Sequence, residues 1–191
     1  MSLYSGCMEK TKRKIQNALL ELAEKKNIEE ITVKDICIKA DIAKQTFYNN
    51  YRDKYDVVAG IYINDMYDAD NMNRNDYGLD QLTEAFRRIF ARKNFYKNVL
   101  AVKSQNSLAD FIDQFDMEIN SRIMKQYYQI DELTSEMIYA IKYHSAGCLE
   151  ILKEALENDE SMTAESIAQI EYNILPPIIR NSWNQTQSYS K

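Results

Sequence analysis

The chain is 191 residues long and carries 24 Lys/Arg against 29 Asp/Glu, a formal net charge of −5. Four Gly and two Pro are too few for the turns of an all-β protein, so the composition predicts an all-α fold. No signal peptide opens the chain and no apolar run approaches the roughly 18 residues of a membrane span, so we expect a cytoplasmic protein. The three cysteines, Cys7, Cys37 and Cys148, share no metal-like spacing, and neither disulfides nor a metal site are predicted.

The charge is unevenly distributed along the chain. Residues 1–56 hold 11 Lys/Arg and 9 Asp/Glu, whereas the remainder holds 13 and 20. The first segment therefore has a net charge of +2 and the second a net charge of −7. Basic residues neutralise phosphates and release counterions, so the N-terminal third is where a nucleic-acid partner is expected.

Two short helices joined by a tight turn are predicted between residues 32 and 54. Thr32 followed by Asp35 is a capping signal for the first of them. Its apolar residues recur at i, i+3, i+4 and i+7, and they are Val33, Ile36, Cys37 and Ala40. An amphipathic helix over residues 10–26 precedes this pair and supplies a third apolar face. Three helices are thus expected to share one small core.

The second short helix, about residues 44–51, has an unusually polar outer face. Only Phe47 and Tyr51 are placed to point inward. The outward residues are Lys44, Gln45, Thr46, Tyr48, Asn49 and Asn50. Such side chains offer donors and acceptors to base edges and phosphates, which is typical of the second helix of a helix-turn-helix in a major groove.

The segment from residue 12 to residue 57 resembles the N-terminal DNA-binding domain of TetR-family transcription regulators. The matching motifs are ITVKDI at 31–36, A-x-I at 40–42, TFY at 46–48 and Y-x-x-K at 51–54. The resemblance implies a three-helix helix-turn-helix domain followed by a larger C-terminal helical bundle. It also implies a double-stranded DNA operator as partner and a phosphate contact by the lysine that ends the last motif.

The two implied domains are residues 1–56, for DNA binding, and residues 57–191, for ligand sensing and dimerisation. The fourth helix, about residues 53–68, is expected to be the only continuous link between them. We expect phosphate contacts from Lys34, Tyr48 and Lys54. The residues expected to reach base edges are Lys44, Gln45, Thr46 and Asn49.

Three positions depart from the family pattern. Asn27 and Asp41 stand where the family usually has glycine, and both are expected to adopt a left-handed backbone, which Asn and Asp tolerate best after Gly. Ala43 stands where the family often has a Ser or Thr cap. Losing that cap costs on the order of 1 kcal/mol and predicts a weakly anchored second helix.

The second half of the chain repeats the helical period and is rich in adaptable apolar side chains, with six Phe, fourteen Tyr and eight Met in the whole sequence. Stripes of this kind are primarily packing faces. Together they also suit an apolar cavity for a small-molecule effector. The residues chosen for such a cavity are Tyr62, Met66, Phe86, Phe111, Phe115 and Tyr143.

The last two long helices are expected to form a homodimer interface. The helix at about 134–158 is apolar on two faces, and the helix beginning near Thr163 carries small residues that permit close helix approach. Pro176 and Pro177 should end it. In the TetR family the final pair of long helices packs against its copy in a four-helix bundle. A large monomeric core is the alternative.

No enzyme motif is present. His144 is the only histidine, and the sequence shows no nucleophile arrangement, phosphate-binding glycine loop or metal cluster around it. We therefore expect a non-enzyme without cofactor. The preferred function is a homodimeric, sequence-specific transcription regulator modulated by a small molecule. The alternative is a TetR-like helical dimer that acts as a protein-interaction module without reading an operator, and an enzyme with its site in the helical body comes third.

Overall fold

The computed structural model describes residues 3–67, 78–103, 107–157 and 162–184. Within these ranges every regular element is a helix, which confirms the predicted all-α fold. The helices are α1 (Leu3–Ala23), α2 (Val33–Ala40), α3 (Lys44–Tyr48), α4 (Lys54–Met66), α5 (Leu79–Ala91), α6 (Lys93–Leu100), α7 (Leu108–Tyr128), α8 (Ser135–Glu157), α9 (Ala164–Ile174) and α10 (Pro177–Asn184). A short 3-10 turn at Ile28–Glu30 lies between α1 and α2. In the described part of the chain, no helix combines the length and the apolar character needed to cross a bilayer.

The helices group into two packing units. The first, unit 1, comprises Met1–Ile63 and Asn94–Leu108, and the second, unit 2, comprises Asn64–Lys93 and Ala109–Lys191. The chain thus passes from one unit to the other three times. The expectation that α4 would be the only continuous link is therefore wrong, because α6 returns to unit 1. The functional division after residue 56 remains a prediction.

The core of unit 1 is built from α1, α2, α3 and the 3-10 turn. Its fully buried members include Ile15, Leu19, Ile28, Ile36 and Phe47. The Phe47 ring meets the rings of Tyr48 and Tyr51 at centroid distances of 5.4 and 6.2 Å. These ring contacts are local to α3 and the residues that follow it, and the tie to α1 is a hydrogen bond from Gln16 Nε2 to the Tyr51 hydroxyl at 2.9 Å. Phe47 and Tyr51 are both buried, as predicted.

Local capping signals define the edges of α2. Thr32 and Asp35 form the predicted reciprocal capping box, in which the Asp35 N–H donates to Thr32 Oγ1 and the Thr32 N–H donates to Asp35 Oδ2. Asp41 ends the helix in the predicted left-handed conformation, with φ 52° and ψ 57°. The matching expectation for Asn27 is wrong, because its backbone is extended, with φ −62° and ψ 140°. Its side chain instead accepts a hydrogen bond from the Glu29 N–H and begins the 3-10 turn.

In unit 2, the last three helices are fixed by local caps and by two long-range hydrogen bonds. Thr163 caps α9 with Ser166, and α9 ends just before the two prolines, as predicted. The Tyr128 hydroxyl donates to the Ile178 carbonyl at 2.8 Å. Trp183 Nε1 donates to Asn120 Oδ1 at 3.0 Å. Both bonds tie α10 to α7.

Candidate functional site

The outer face of α3 carries paired amide side chains. Gln45 Nε2 donates to Asn49 Oδ1 at 3.0 Å, and both residues are exposed. This pairing orients the remaining acceptor of Gln45 and the remaining donor of Asn49, which make no further hydrogen bond to a described residue. The exposed pair therefore presents an acceptor and a donor on the outer face of α3. Lys44 is exposed on the same helix, and Tyr48 is 54% exposed.

The ends of α3 are weakly supported by side chains. Ala43 at its N-terminus makes no capping bond, as expected, and the helix is five residues long. At the other end, Asn50 Nδ2 donates to the Thr46 carbonyl at 2.7 Å. Thr46 is half-buried and so less available to a base than its neighbours Gln45 and Asn49. The segment is anchored by the buried Phe47 side chain and by the Gln16–Tyr51 hydrogen bond.

A surface groove of about 510 Å³ lies beside the turn between α2 and α3. It is lined by Lys34, Cys37, Ile38, Asp41, Ile42, Ala43 and Lys44. Both lysines are exposed, and within the described ranges neither forms an ion pair. By contrast, Lys39 is bound to Glu21 at 2.5 Å. Of the three lysines compared, the two at the groove are therefore the ones whose ammonium groups no described carboxylate holds.

Lys54 has a different environment from the one predicted. Its ammonium group donates to the carbonyl oxygens of Ile28, Glu29 and Ile31 at 2.7, 2.9 and 2.9 Å. These bonds use all three N–H groups, which leaves none for a phosphate. Burial lowers the pKa of Lys54 from its ordinary value. The geometry thus argues against the predicted phosphate contact and makes Lys54 a structural clamp on the 3-10 turn.

Asn98 of α6 is a second clamp on the 3-10 turn, and no sequence pattern predicted it. Its Oδ1 accepts from the Ile28 N–H at 2.9 Å, and its Nδ2 donates to the carbonyls of Ala23 and Lys26 at 3.2 and 2.9 Å. One side chain therefore closes the C-terminus of α1 and the start of the 3-10 turn. A single Asn on a polar helix face gives no signal for a partner some 70 residues away.

Five of the six residues chosen for an effector cavity lie in unit 2. Phe86 is 3% exposed, and Met66 is half-buried. Phe111 and Phe115 stack with their ring centroids 5.5 Å apart. Tyr62 is also buried but belongs to unit 1.

The choice of Tyr143 is wrong, because its side chain is 77% exposed. It lies on the outward face of α8. Helical periodicity identifies an apolar face, and it does not distinguish a face turned to the core from one turned to solvent.

Large apolar side chains cover the outer faces of α8 and α9. Tyr139 and Tyr143 of α8 are 69% and 77% exposed. Ile170 and Ile174 of α9 are 39% and 52% exposed. We call these four residues the α8–α9 surface.

A cluster of polar side chains inside unit 2, which we call the polar cluster, was also missed. It joins α7, α8 and α9 and consists of Asp116, His144, Ser145, Cys148 and Glu171. The Cys148 thiol lies 3.2 Å from His144 Nδ1. Burial raises the pKa of the thiol and lowers the pKa of His144 to about 4. A neutral thiol beside a neutral imidazole lacks the thiolate that a cysteine nucleophile requires.

We expect the two acids of the polar cluster to make stability fall as pH rises. Burial raises the pKa of Asp116 from 3.8 to about 7 and that of Glu171 from 4.5 to about 8. The folded chain therefore keeps protons that the unfolded chain has already lost. The stabilisation from each acid is complete below its unfolded pKa. As pH rises toward the folded pKa values of about 7 and 8, each acid loses up to about 1.4 kcal/mol of stabilisation per pH unit, and the loss is complete above them.

Urea unfolding at pH 6.5, 7.5 and 8.5 measures this effect. His144, whose pKa is lowered, alters stability chiefly below its ordinary value of 6.5 and so contributes little in this window. Glu171→Gln should flatten the profile because the amide does not titrate. A wild-type free energy of unfolding that is constant across the window would contradict the raised pKa values.

The fold and the geometry of α2 and α3 define the class, an all-α helix-turn-helix protein. A family described as "Transcriptional regulator C-terminal region", of the TetR type, matches residues 78–176, just over half of the chain. The chain is 24% identical over 155 residues to the HTH-type dhaKLM operon transcriptional activator DhaS of Lactococcus lactis subsp. lactis (strain IL1403), covering 80% of this chain and 82% of that protein. A solved structure of the dihydroxyacetone kinase operon activator DhaS has the same fold, with a TM-score of 0.57 at 21% identity, covering 93% of this chain and 97% of that one. The chain belongs to the TetR family of DNA-binding transcription regulators, as its N-terminal motifs predicted.

Proposed function

We propose that the protein is a homodimer that reads an operator with α3 and takes a small-molecule effector in its C-terminal part. The oriented Gln45–Asn49 pair beside the groove lysines is the observation that supports operator reading most strongly. Amides suit base edges, and unpaired lysines suit phosphates. We assign DNA reading to residues 1–56 and sensing and dimerisation to residues 57–191, and we expect the protein to act in the cytoplasm.

The proposed partner in the dimer is a second copy meeting the α8–α9 surface. Each of the two consecutive helices exposes two large apolar side chains, and exposed apolar groups of this kind in soluble proteins often mark an interface. Gly147 of α8 has open space around it, because an added Cβ would meet nothing within 4 Å. A partner helix can therefore approach α8 closely at this point. A two-fold axis also matches the symmetry of a palindromic operator.

The relative from Lactococcus lactis is named as an operon activator. By this similarity we propose that the present chain controls transcription of an operon, and activation is the direction to test first. Binding experiments on this chain itself are needed to identify the effector and the regulated genes.

Two groups of substitutions should separate base reading from phosphate binding. Gln45→Ala and Asn49→Ala should relax preference at one or two base pairs, at about 1–3 kcal/mol for each bidentate hydrogen-bond pair removed. Lys34→Ala should weaken binding to all duplexes alike and reduce the salt slope by about one unit for each phosphate that is no longer neutralised. The measurement is affinity for a duplex selected from a random pool and for its single-base variants.

Lys39→Ala is the matched control, because Lys39 is already paired with Glu21. It should leave both affinity and preference nearly unchanged. If the amide and Lys34 variants also bind every duplex as the wild type does, α3 is not the reading helix.

A further inference from the structure

The polar cluster of unit 2 contains an unsatisfied acid. Glu171 of α9 is 5% exposed, and its Oε1 is buried without a hydrogen-bond partner. The same carboxyl is hydrogen-bonded to Cys148 of α8. A buried oxygen without a partner destabilises the fold, and native proteins retain few of them. Such an atom marks a position where a bound donor would be favourable.

The neighbouring groups determine which kind of donor fits. Asp116 brings a second carboxyl from α7, and its negative charge raises the pKa of Glu171 beyond the effect of burial. Ser145, which is hydrogen-bonded to Asp116, is 2% exposed. In the part of the chain that the structure describes, no lysine or arginine forms an ion pair with either acid. The cluster therefore lacks a positive charge.

We propose that the polar cluster is the effector site of this regulator and that it takes a small aliphatic amine, whose ammonium N–H groups bind Glu171 Oε1 and the Asp116 carboxyl. A charged donor recovers the cost of the unpaired oxygen and of two adjacent acids together. The regulatory role rests on the proposed function, whereas binding of the amine does not.

Other ligand classes fit the cluster less well. An anion would meet two acids and a neutral imidazole, with no cation to hold it. Among the described residues, no group of three or more His, Cys, Asp or Glu side chains has an arrangement that could hold a metal ion. An ammonium group needs only hydrogen-bond acceptors, and the two carboxyls supply acceptor oxygens.

The position of the site connects it to the proposed dimer interface. Glu171 follows Ile170 directly on α9, and His144 follows Tyr143 on α8. Each inward residue therefore directly follows a member of the α8–α9 surface along its helix, about 100° further round the helix axis. An amine that draws α7, α8 and α9 together would change the geometry of the surface on their outer side.

The test is isothermal titration calorimetry of 1,4-diaminobutane into the full-length protein at pH 7, in phosphate and in Tris buffer. The wild type should bind and release protons, because the ammonium group favours the ionised acids, and the heats in the two buffers should differ accordingly. Glu171→Gln should weaken binding at least tenfold and reduce the proton release. Glu154→Gln, at an exposed acid of α8, should retain wild-type binding.

Three results would each overturn the proposal. These are no binding by the wild type, equal binding by Glu171→Gln, and equally tight binding of 1,4-butanediol, the uncharged analogue. Thermal unfolding shows whether Glu171→Gln is folded, and Asp116→Asn, which should also weaken binding at least tenfold, provides a second variant. A wild type that binds the amine and no DNA would contradict the proposed function alone, whereas one that binds DNA and no amine would contradict only the effector site.

Discussion

Replacing Lys54 with Met is expected to lower the free energy of unfolding by about 2–4 kcal/mol, because it removes three hydrogen bonds from the ammonium group to backbone carbonyls. These are the carbonyls of Ile28, Glu29 and Ile31, on the turn that connects α1 to α2. Met keeps most of the length and apolar stem of Lys and removes only the ammonium group. The loss should appear in urea unfolding followed by circular dichroism.

Lys34→Met is the matched control, because Lys34 is exposed and lies at the groove. Its free energy of unfolding should stay within about 0.5 kcal/mol of the wild type. If Lys54→Met is as stable as the wild type and instead weakens all duplexes uniformly with a smaller salt slope, Lys54 binds phosphate as the family resemblance implied. The structural role would then be wrong.

Replacing Ile170 with Asp is expected to convert the proposed dimer into monomers. A carboxylate in the middle of an apolar interface must be buried without a partner, and a penalty of about 2.7 kcal/mol already raises the dissociation constant about 100-fold. Ile170 is 39% exposed, so the isolated chain should tolerate Asp there and remain folded. Sedimentation equilibrium at micromolar concentration measures the change.

Ile38→Asp provides the control, since Ile38 is a 69% exposed isoleucine on α2 and lies outside the α8–α9 surface. It should leave the dimer intact. An Ile170→Asp protein that sediments as a dimer, or a wild type that sediments as a monomer, would place the interface elsewhere or remove it.

Local signals explain most of what the sequence predicted correctly. The capping box at Thr32 and the left-handed residue at Asp41 depend on atoms within a few residues of each other, so their patterns are readable in the sequence. Asn27 shows the limit of the same reasoning. An Asn that can adopt a left-handed backbone can also cap a turn with its side chain, and the 3-10 turn that follows selects the second option.

Long-range contacts explain what the sequence did not reveal. The partners of Lys54 and Asn98 are backbone carbonyls and a backbone N–H. Nearly every residue has these groups, so no residue pattern predicts which of them will be bound. Glu171 lies on a helix chosen for its apolar residues, and only the packing of α7 and α8 shows that it is buried. Tyr143 was misassigned for the related reason that α8 has apolar residues on both faces.

We propose above all that this protein recognises a specific duplex through α3 and the groove lysines. The most direct measurement is the affinity of the wild type for a duplex selected from a random pool and for its scrambled counterpart, across a series of salt concentrations. We expect the selected duplex to bind at least about 1,000-fold more tightly. Lys34 in two copies predicts a plot of log affinity against log salt with a slope of about −1.8 or steeper. A slope near zero and equal affinity for both duplexes would contradict operator recognition by α3 and favour an interaction module that reads no operator.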